Sequence, residues 1–381
     1  MKKILLVTSK HPAPSDSRDG GDSTVLEIIS ALGGYCRLDI LCFRDSDRDT
    51  EIPSVGKIFF QNADFAHYKF YSGNKGEKFS ERLKQAEISA HKISDLAPNY
   101  DVIIVQHCMF ILRLAEFASD VFRKIILLPM FTGCEYAKAG EFVPHEYIEE
   151  ERKALRHVFK FIVPSETERR ILTNDYGING AVIFVVPRSV MWIKFTERSK
   201  CSSGLQMIYI ASVRRQKSHI EAMKLLRLIK KDIPCARLHC AGTVQDEKLF
   251  TECTEFLVEN SLSRDVIFHG TLSSEKLNSV LSSCDVNISV SLWETFGRGI
   301  FEGMAAGLPT VIMQRISSVA DFPDHLRPIT VQSLHEMKSV ILRLCFDRKF
   351  FSVESLRGLG VNKYLSFDRI QEILRGIILH S

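Results

Sequence analysis

The residues with the most chemical content lie in Ser289–Pro309, SVSLWETFGRGIFEGMAAGLP, where an apolar strand ends in a glycine-containing turn and a helix follows. Ligands of open α/β sheets bind at that carboxyl edge of the strands. Gly297 and Gly299 let a ligand approach the backbone. The free amides at the start of the next helix, with its dipole, favour an anion such as a diphosphate. Glu294 lies in the turn, and Glu302 lies about one turn inside the helix, so the two can face one cleft. A pair of carboxylates there can accept hydrogen bonds from hydroxyls, which is what a sugar and a ribose offer. Either glutamate alone reads equally well as a solvated surface residue. The pair, the glycines and the strand–turn–helix context together read as a site.

A second constellation, Ser212–Lys217 (SVRRQK), follows the strand candidate Gln206–Ile210 and precedes a helix beginning near Ser218. Arg214, Arg215 and Lys217 thus stand at the same kind of edge, where cations neutralise a leaving diphosphate. Basic loop residues are ordinarily just solvated; their place in the pattern argues for more. The third is Ser9–Ser23 (SKHPAPSDSRDGGDS), a long loop before a helix expected from about Ser23–Thr24. Its Gly20-Gly21 would let a phosphate approach the helix amides, and its length suits a mobile active-site element. His11 in this loop and His107 after the strand candidate Asp101–Val105 are further candidates, although a hydrogen-bonded structural role fits His107 equally well. No Gly-x-Ser-x-Gly, His-Glu-x-x-His, Walker lysine loop or full GxGxxG occurs, so hydrolase, metalloprotease, P-loop and simple NAD chemistries lack their motifs.

The elements that must hold these residues alternate between short β-branched runs and helical patterns, the signature of parallel sheets covered on both faces. The first half offers strands at Lys3–Val7, Arg37–Cys42, Asp101–Val105, Lys124–Leu128, Phe159–Val163 and Val182–Val186. The second offers Gln206–Ile210, Arg237–Cys240, Val266–Phe268, Val286–Ser289 and Thr310–Ile312. A chain of 381 residues exceeds what one core usually serves, so two doubly wound domains are expected. The polar stretch Lys194–Gly204 (KFTERSKCSSG) is the natural linker, giving domains over 1–195 and 204–360. The tail 364–381 carries an amphipathic helix, with Phe367, Ile370, Ile373, Leu374 and Ile377 on one face, that needs a surface to dock on.

Apolar residues make up 45% and charged residues 25%, so no stretch points to disorder. A net charge of +4, scattered along the chain, argues against nucleic acid as a partner. The apolar run after Met1-Lys2-Lys3 stops at Thr8, which suits one buried strand rather than a signal peptide, and no run suits a membrane span. The ten cysteines occur singly, several in apolar contexts (Cys36, Cys42, Cys240, Cys284), which predicts reduced core thiols, a cytoplasmic protein and no metal site. One helix carries Phe79, Leu83, Ala86, Ala90 and Ile93 on a single face with Lys78, Arg82, Lys84 and Lys92 nearby. That face either packs on the first sheet or makes a peripheral membrane contact.

The segment WETFGRGIFEGMAAGLPTV resembles the donor-binding motif of retaining glycosyltransferases of the GT-B fold, family 4 type (glycosyl transferases group 1): two glutamates separated by seven residues, then Ala-x-Gly-x-Pro. LHCAG at 238–242, DVIFHGT at 265–271 and CDVNISVS at 284–291 follow in family order, so residues 205–315 carry the likeness. KILLVTSKHPAPSDSRDGGDSTVLEIISAL and FIVPSETERRILTNDYGI extend it more loosely over the first half. The resemblance implies two Rossmann-like domains facing across a cleft, with the C-terminal helix crossing back to the first. It also implies a nucleotide diphosphate sugar as donor, a UDP-sugar being the commoner case, and transfer with retention and without a metal. By residue, it implies Glu294 on the sugar hydroxyls, helped by Thr295, the backbone at Phe296 and Gly297, and Arg298. Glu302 would hold the ribose, Lys217 with Arg214 or Arg215 would neutralise the diphosphate, and Gly20 and Gly21 would give it room. The sequence departs from the family at Ala211-Ser212 in place of Gly-Arg, Ser317-Ser318 in place of a glycine pair, Ser189-Val190-Met191 in place of Gly-Val-Asp, and Phe131 in place of a histidine.

Two other functions suit the same fold. A nucleotide-sugar epimerase would want further carboxylates and a histidine facing the sugar, and none can be placed. A catalytically silent donor-binding subunit would suit the missing Gly-Arg and histidine, against which stand Glu294, Glu302 and Lys217.

Overall fold

A computed structural model describes residues 1–9, 20–43, 52–61, 75–130, 132–138, 143–190, 192–198 and 204–380, with the backbone alone described for 20–22 and 75–81. His11 and Phe131 therefore lie outside the described residues, as does most of the first loop. The chain forms two compact α/β units. The first runs to Pro187 and includes Asp368–Ser381; the second is Arg188–Phe367.

The first unit holds β1 (Lys3–Thr8), β2 (Arg37–Cys42), β3 (Val55–Phe60), β4 (Val102–Gln106), β5 (Ile125–Leu128), β6 (Phe161–Val163) and β7 (Ile183–Val185). They pair in parallel in the order β3-β2-β1-β4-β5-β6-β7. Strands of such sheets are buried on both sides, so alternate residues feed two cores. Leu5, Val7, Ile103 and Val105 pack with Ala86, Ala90 and Ile93 of the helix Lys75–Leu96. Ile4, Leu6 and Ile104 pack with Val25, Ile28 and Leu32 of the helix Gly20–Leu32 and with Ile370, Leu374 and Ile378 of the C-terminal helix Phe367–Leu379.

The second unit repeats the plan with β8 (Gln206–Ile210), β9 (Arg237–Ala241), β10 (Val266–Gly270), β11 (Val286–Ser289), β12 (Thr310–Met313) and β13 (Ile329–Val331), in the order β10-β9-β8-β11-β12-β13. Met207, Tyr209, Leu238 and Cys240 face the helix His219–Ile229 through Ala222, Leu225 and Leu226. Ile208 and Ile312 face Ile300, Phe301 and Met304 of the helix Arg298–Ala305. In each sheet the strand order reverses beside the unit's first strand, between β1 and β4 and between β8 and β11.

Four expectations need correction. The chain divides at Pro187/Arg188 and not near residue 200, because Val190 and Ile193 pack in the second unit's core and Lys194 N donates to Asn278 Oδ1 at 2.8 Å. The first helix begins at Gly20, ahead of Ser23, so both glycines lie inside its first turn. On the helix Lys75–Leu96 the part of the apolar face from Ala86 to Ile93 packs on the first sheet. Ala86, Ala90 and Ile93 are fully buried, and Arg82, 5% exposed, turns inward to donate to the Tyr147 hydroxyl at 3.2 Å; the side chains of Phe79 and Lys78 lie outside the described residues. Two strands, β3 and β13, were not expected: β3 is a half-exposed edge strand containing glycine, and β13 has only three residues.

Candidate functional site

The second sheet's switch point brings two sequence-distant loops together. After β8 the chain turns through Arg214 and the short 3-10 turn Arg215–Lys217, and then Ser218 takes a left-handed conformation (φ 49°) that launches the helix His219–Ile229. After β11 it runs through Ser291–Phe296 to Gly297, whose φ of 80° caps the helix Arg298–Ala305. Main-chain and side-chain bonds tie the loops: Leu292 N donates to Gln216 O at 2.8 Å, and Gln216 Nε2 donates to Trp293 O at 2.8 Å.

Across this junction Lys217 Nζ stands 2.5 and 2.6 Å from the two carboxylate oxygens of Glu294. The side chains are only 11% and 10% exposed. Burial pulls the Lys217 ammonium below its ordinary range, the nearby Arg214 charge adds to the effect, and Glu294 opposes both. Ser291 Oγ donates to Glu294 Oε1 at 2.7 Å. Opposite charges so close and so dry attract strongly, and each has given up hydration to form the pair.

The two candidate arginines separate. Arg214 is half-buried beside Lys217, whereas Arg215 is half-exposed and turns to Glu252 (3.1 Å) and Asp246 (3.8 Å), away from the lysine. Arg298 donates to the Ser189 carbonyl at 3.2 Å, so part of its guanidinium is committed to the unit's own backbone. Thr295 and Glu302 are half-buried, Glu302 in the second turn of its helix. The Phe296 ring is buried among Phe301 and Phe322, 5.0 and 5.9 Å between centroids, leaving its backbone to face the turn.

Gly299 has another task than the one expected of it. A Cβ there would lie 2.3 Å from the Ile210 carbonyl oxygen, and one on Gly303 would lie 2.2 Å from Asn287 Nδ2. The two glycines let the helix settle directly on β8 and β11, where Asn287 Nδ2 donates to the Gly299 and Ile300 carbonyls at 3.2 and 3.3 Å. Of the pair, Gly297 alone sits at the loop, in a backbone conformation that glycine favours. Ser318, standing where a glycine pair was expected, is fully buried and donates to the Phe296 carbonyl at 3.3 Å.

In the first unit, His107 lies at the carboxyl end of β4 with φ 106°, and its Nδ1 accepts from Met109 N at 3.1 Å, capping a 3-10 turn. Burial, with the Arg82 charge, pushes its imidazole down to about 3, so it stays neutral. The same edge holds a buried network that sequence reasoning missed: Glu151 accepts from Gly133 N (2.7 Å), the Tyr176 hydroxyl (2.6 Å) and the Cys108 thiol (3.0 Å). Burial raises its carboxyl and lifts neighbouring Glu135 to about 7. Ser291, Tyr209 and Arg315 were missed in the second unit. Arg315 donates through Nε to Ser291 O (3.0 Å) and through a terminal nitrogen to Val290 O (2.6 Å). A serine or tyrosine inside a strand-like run carries no signal of its own.

Among the described residues no group of three His, Cys, Asp or Glu side chains could hold a metal ion. No described helix is long and apolar enough to cross a membrane.

Residues 193–326 match the family described as glycosyl transferases group 1. The matched stretch contains both loops of the switch point. Mannosylfructose-phosphate synthase of Agrobacterium fabrum is 24% identical over 187 residues, which are 45% of this chain and 41% of that protein. The match thus spans about two fifths of that relative's length. The solved sucrose-phosphate synthase of Thermosynechococcus elongatus superposes with a TM-score of 0.78 at 16% identity, with 100% of each chain covered. Anabaena HepE in complex with UDP-glucose gives 0.70 at 15% identity, again over 100% of each chain. These likenesses show the GT-B fold, built from two Rossmann-like α/β units.

Proposed function

We propose that the protein is a retaining glycosyltransferase that moves a hexose or N-acetylhexosamine from a nucleotide diphosphate sugar, a UDP-sugar in the first instance, to an acceptor hydroxyl without a metal. The Lys217–Glu294 pair, buried at the switch point beside the start of the helix Arg298–Ala305, carries the reading. The helix amides and Arg214 would receive the diphosphate. Its charge would draw Lys217 away from Glu294, and the released carboxylate would accept hydrogen bonds from the sugar hydroxyls while Glu302 holds the ribose. As the glycosidic bond to the β-phosphate oxygen breaks, charge grows on that oxygen, and the fixed ammonium stabilises the transition state more than the bound donor. Glu294 acts as a hydrogen-bond acceptor, and the acceptor hydroxyl approaches from the face the nucleotide leaves, its proton passing to the departing phosphate. The reading places the reaction in the cytoplasm, with peripheral contact at the inner face of the membrane if the acceptor is lipid-linked.

The family match over 193–326 and the fold likeness to a UDP-glucose complex support this reading. The test is a screen of UDP-, GDP- and ADP-sugars for released nucleotide, without and with acceptor pools. Release from one donor class supports it. Nucleotide binding with no turnover of any donor replaces it with a silent donor-binding subunit.

A further inference from the structure

We infer that Tyr209 and Ser291 are a positioning pair for Lys217 and Glu294, in which Ser291 reserves one carboxylate oxygen of Glu294 so that the sugar is read through the other. The inference rests on the glycosyltransferase reading. Both side chains are buried, Tyr209 on β8 and Ser291 just beyond β11, on the two strands that flank the switch point. The Tyr209 hydroxyl donates to the Lys217 carbonyl at 2.6 Å and stands 2.8 Å from Ser291 Oγ. Ser291 Oγ in turn donates to Glu294 Oε1 at 2.7 Å, and Lys217 Nζ closes the circuit on Glu294. One tyrosine hydroxyl thus fixes the main chain that carries the lysine and touches the serine that holds the glutamate.

The circuit matters most when the ion pair opens. Once a diphosphate takes Lys217, Glu294 loses the cation that oriented both its oxygens, and Ser291 is the hydrogen-bond donor that still holds Oε1. Oε2 is then the oxygen presented to the ligand. Without the serine hydroxyl the carboxylate is free to turn. The loop that carries Ser291 and Glu294 does not depend on the serine hydroxyl, because Gln216 and Arg315 bind its main chain separately. Removing the serine hydroxyl therefore disturbs side-chain register and leaves that loop's path in place, whereas removing the tyrosine hydroxyl also releases the Lys217 carbonyl.

The variants Ser291→Ala, Ser291→Thr and Tyr209→Phe separate positioning from bulk stability. Calorimetric UDP affinity should stay within about twofold of the wild type in the two Ser291 variants, since this hydroxyl is fully buried and engaged with Glu294. For Ser291→Ala, kcat/KM on the sugar nucleotide should fall about tenfold, with Ser291→Thr restoring it. Tyr209→Phe should lower kcat severalfold. An arm that needs no ligand accompanies these: the shift in urea midpoint caused by Ser291→Ala should shrink in a Glu294→Gln background, as coupled partners require. Equal shifts in both backgrounds, or a kcat/KM in Ser291→Ala equal to that of the wild type, overturn the inference. A wild type that neither binds nucleotide nor releases it from any donor overturns the glycosyltransferase reading instead, while the stability cycle still decides the pairing.

Discussion

Lys217 Nζ grips both oxygens of Glu294 at 2.5 and 2.6 Å, although the two residues belong to loops 77 positions apart in the chain. Both side chains are about nine-tenths buried. The lysine is therefore more than a cation on a rim. It neutralises a buried carboxylate at rest, and under the proposed mechanism it neutralises a phosphate during turnover.

Lys217→Ala should lower kcat by roughly 10²–10³, with a smaller change in KM for the donor, because the lost charge acts mainly on the leaving group. Buried pairing adds a cost that a solvated loop lysine would not have. Leaving Glu294 without its cation should destabilise the fold by about 3 kcal/mol or more, and Lys217→Ala/Glu294→Gln should recover much of that. Steady-state kinetics with matched denaturant melts check both parts. Wild-type turnover in the single variant would remove the leaving-group role, and an unchanged melt would remove the buried-pair argument.

Glu302→Ala should weaken nucleotide binding more than tenfold, since a carboxylate holding a ribose hydroxyl pair contributes about 1.5–3 kcal/mol. Calorimetry with UDP is the measurement, and an unchanged affinity takes Glu302 out of the site.

Gly299→Ala should damage the second unit more than an ordinary helix substitution. The new methyl would meet the Ile210 backbone oxygen at 2.3 Å, and a backbone in the middle of a sheet cannot step aside as a side chain end can. The helix must lift from β8, at a cost of about 1–3 kcal/mol or more, and carry its amino end with it. Lowered stability together with weakened nucleotide binding is expected; a melt within error of the wild type would show that the helix does not seat as described.

Acid should destabilise the protein through His219. This imidazole is fully buried against the Tyr209 ring, 5.0 Å between centroids, and burial pushes it down to about 4 from 6.5. The unfolded chain binds a proton below about pH 6.5 that the folded chain refuses until about pH 4, so stability falls as pH drops through that window. At pH 5 the loss is about 2 kcal/mol, and His107, held down to about 3, adds in the same direction. Urea melts at neutral and acidic pH, on the wild type and on His219→Gln, give the comparison. An acid loss as large in the variant as in the wild type would sink this account.

The sequence by itself determined the class of the fold and the strand–turn–helix that carries the candidate site. Apolar runs such as Ile4–Val7 and Val286–Ser289, alternating with helical patterns, require buried parallel strands, since only helices on both faces can cover them. The stretch from Glu294 to Glu302 announced a turn and a helix start because glycine spacing acts locally. β3 and β13 escaped notice for the complementary reason. β3 gains its bonds from neighbours, Lys57 N donating to the buried Asp39 carboxylate at 2.7 Å, and β13 forms three residues long by adding to the edge at β12. Tertiary structure alone decided the rest. The polar run after Lys194 looked like a boundary, but Val190 and Ile193 had already found the second core. Arg214 and Arg215 are alike in sequence, yet the charge of Arg214 is felt at Lys217 while Arg215 pairs with Asp246 and Glu252. Gly299 looked like room for a ligand and proved to be room for a strand. Partners so far apart in the chain, as Lys217 is from Glu294 and Tyr209 from Ser291, meet only because parallel strands place successive loops along one edge, and no local pattern encodes which side chains will touch there.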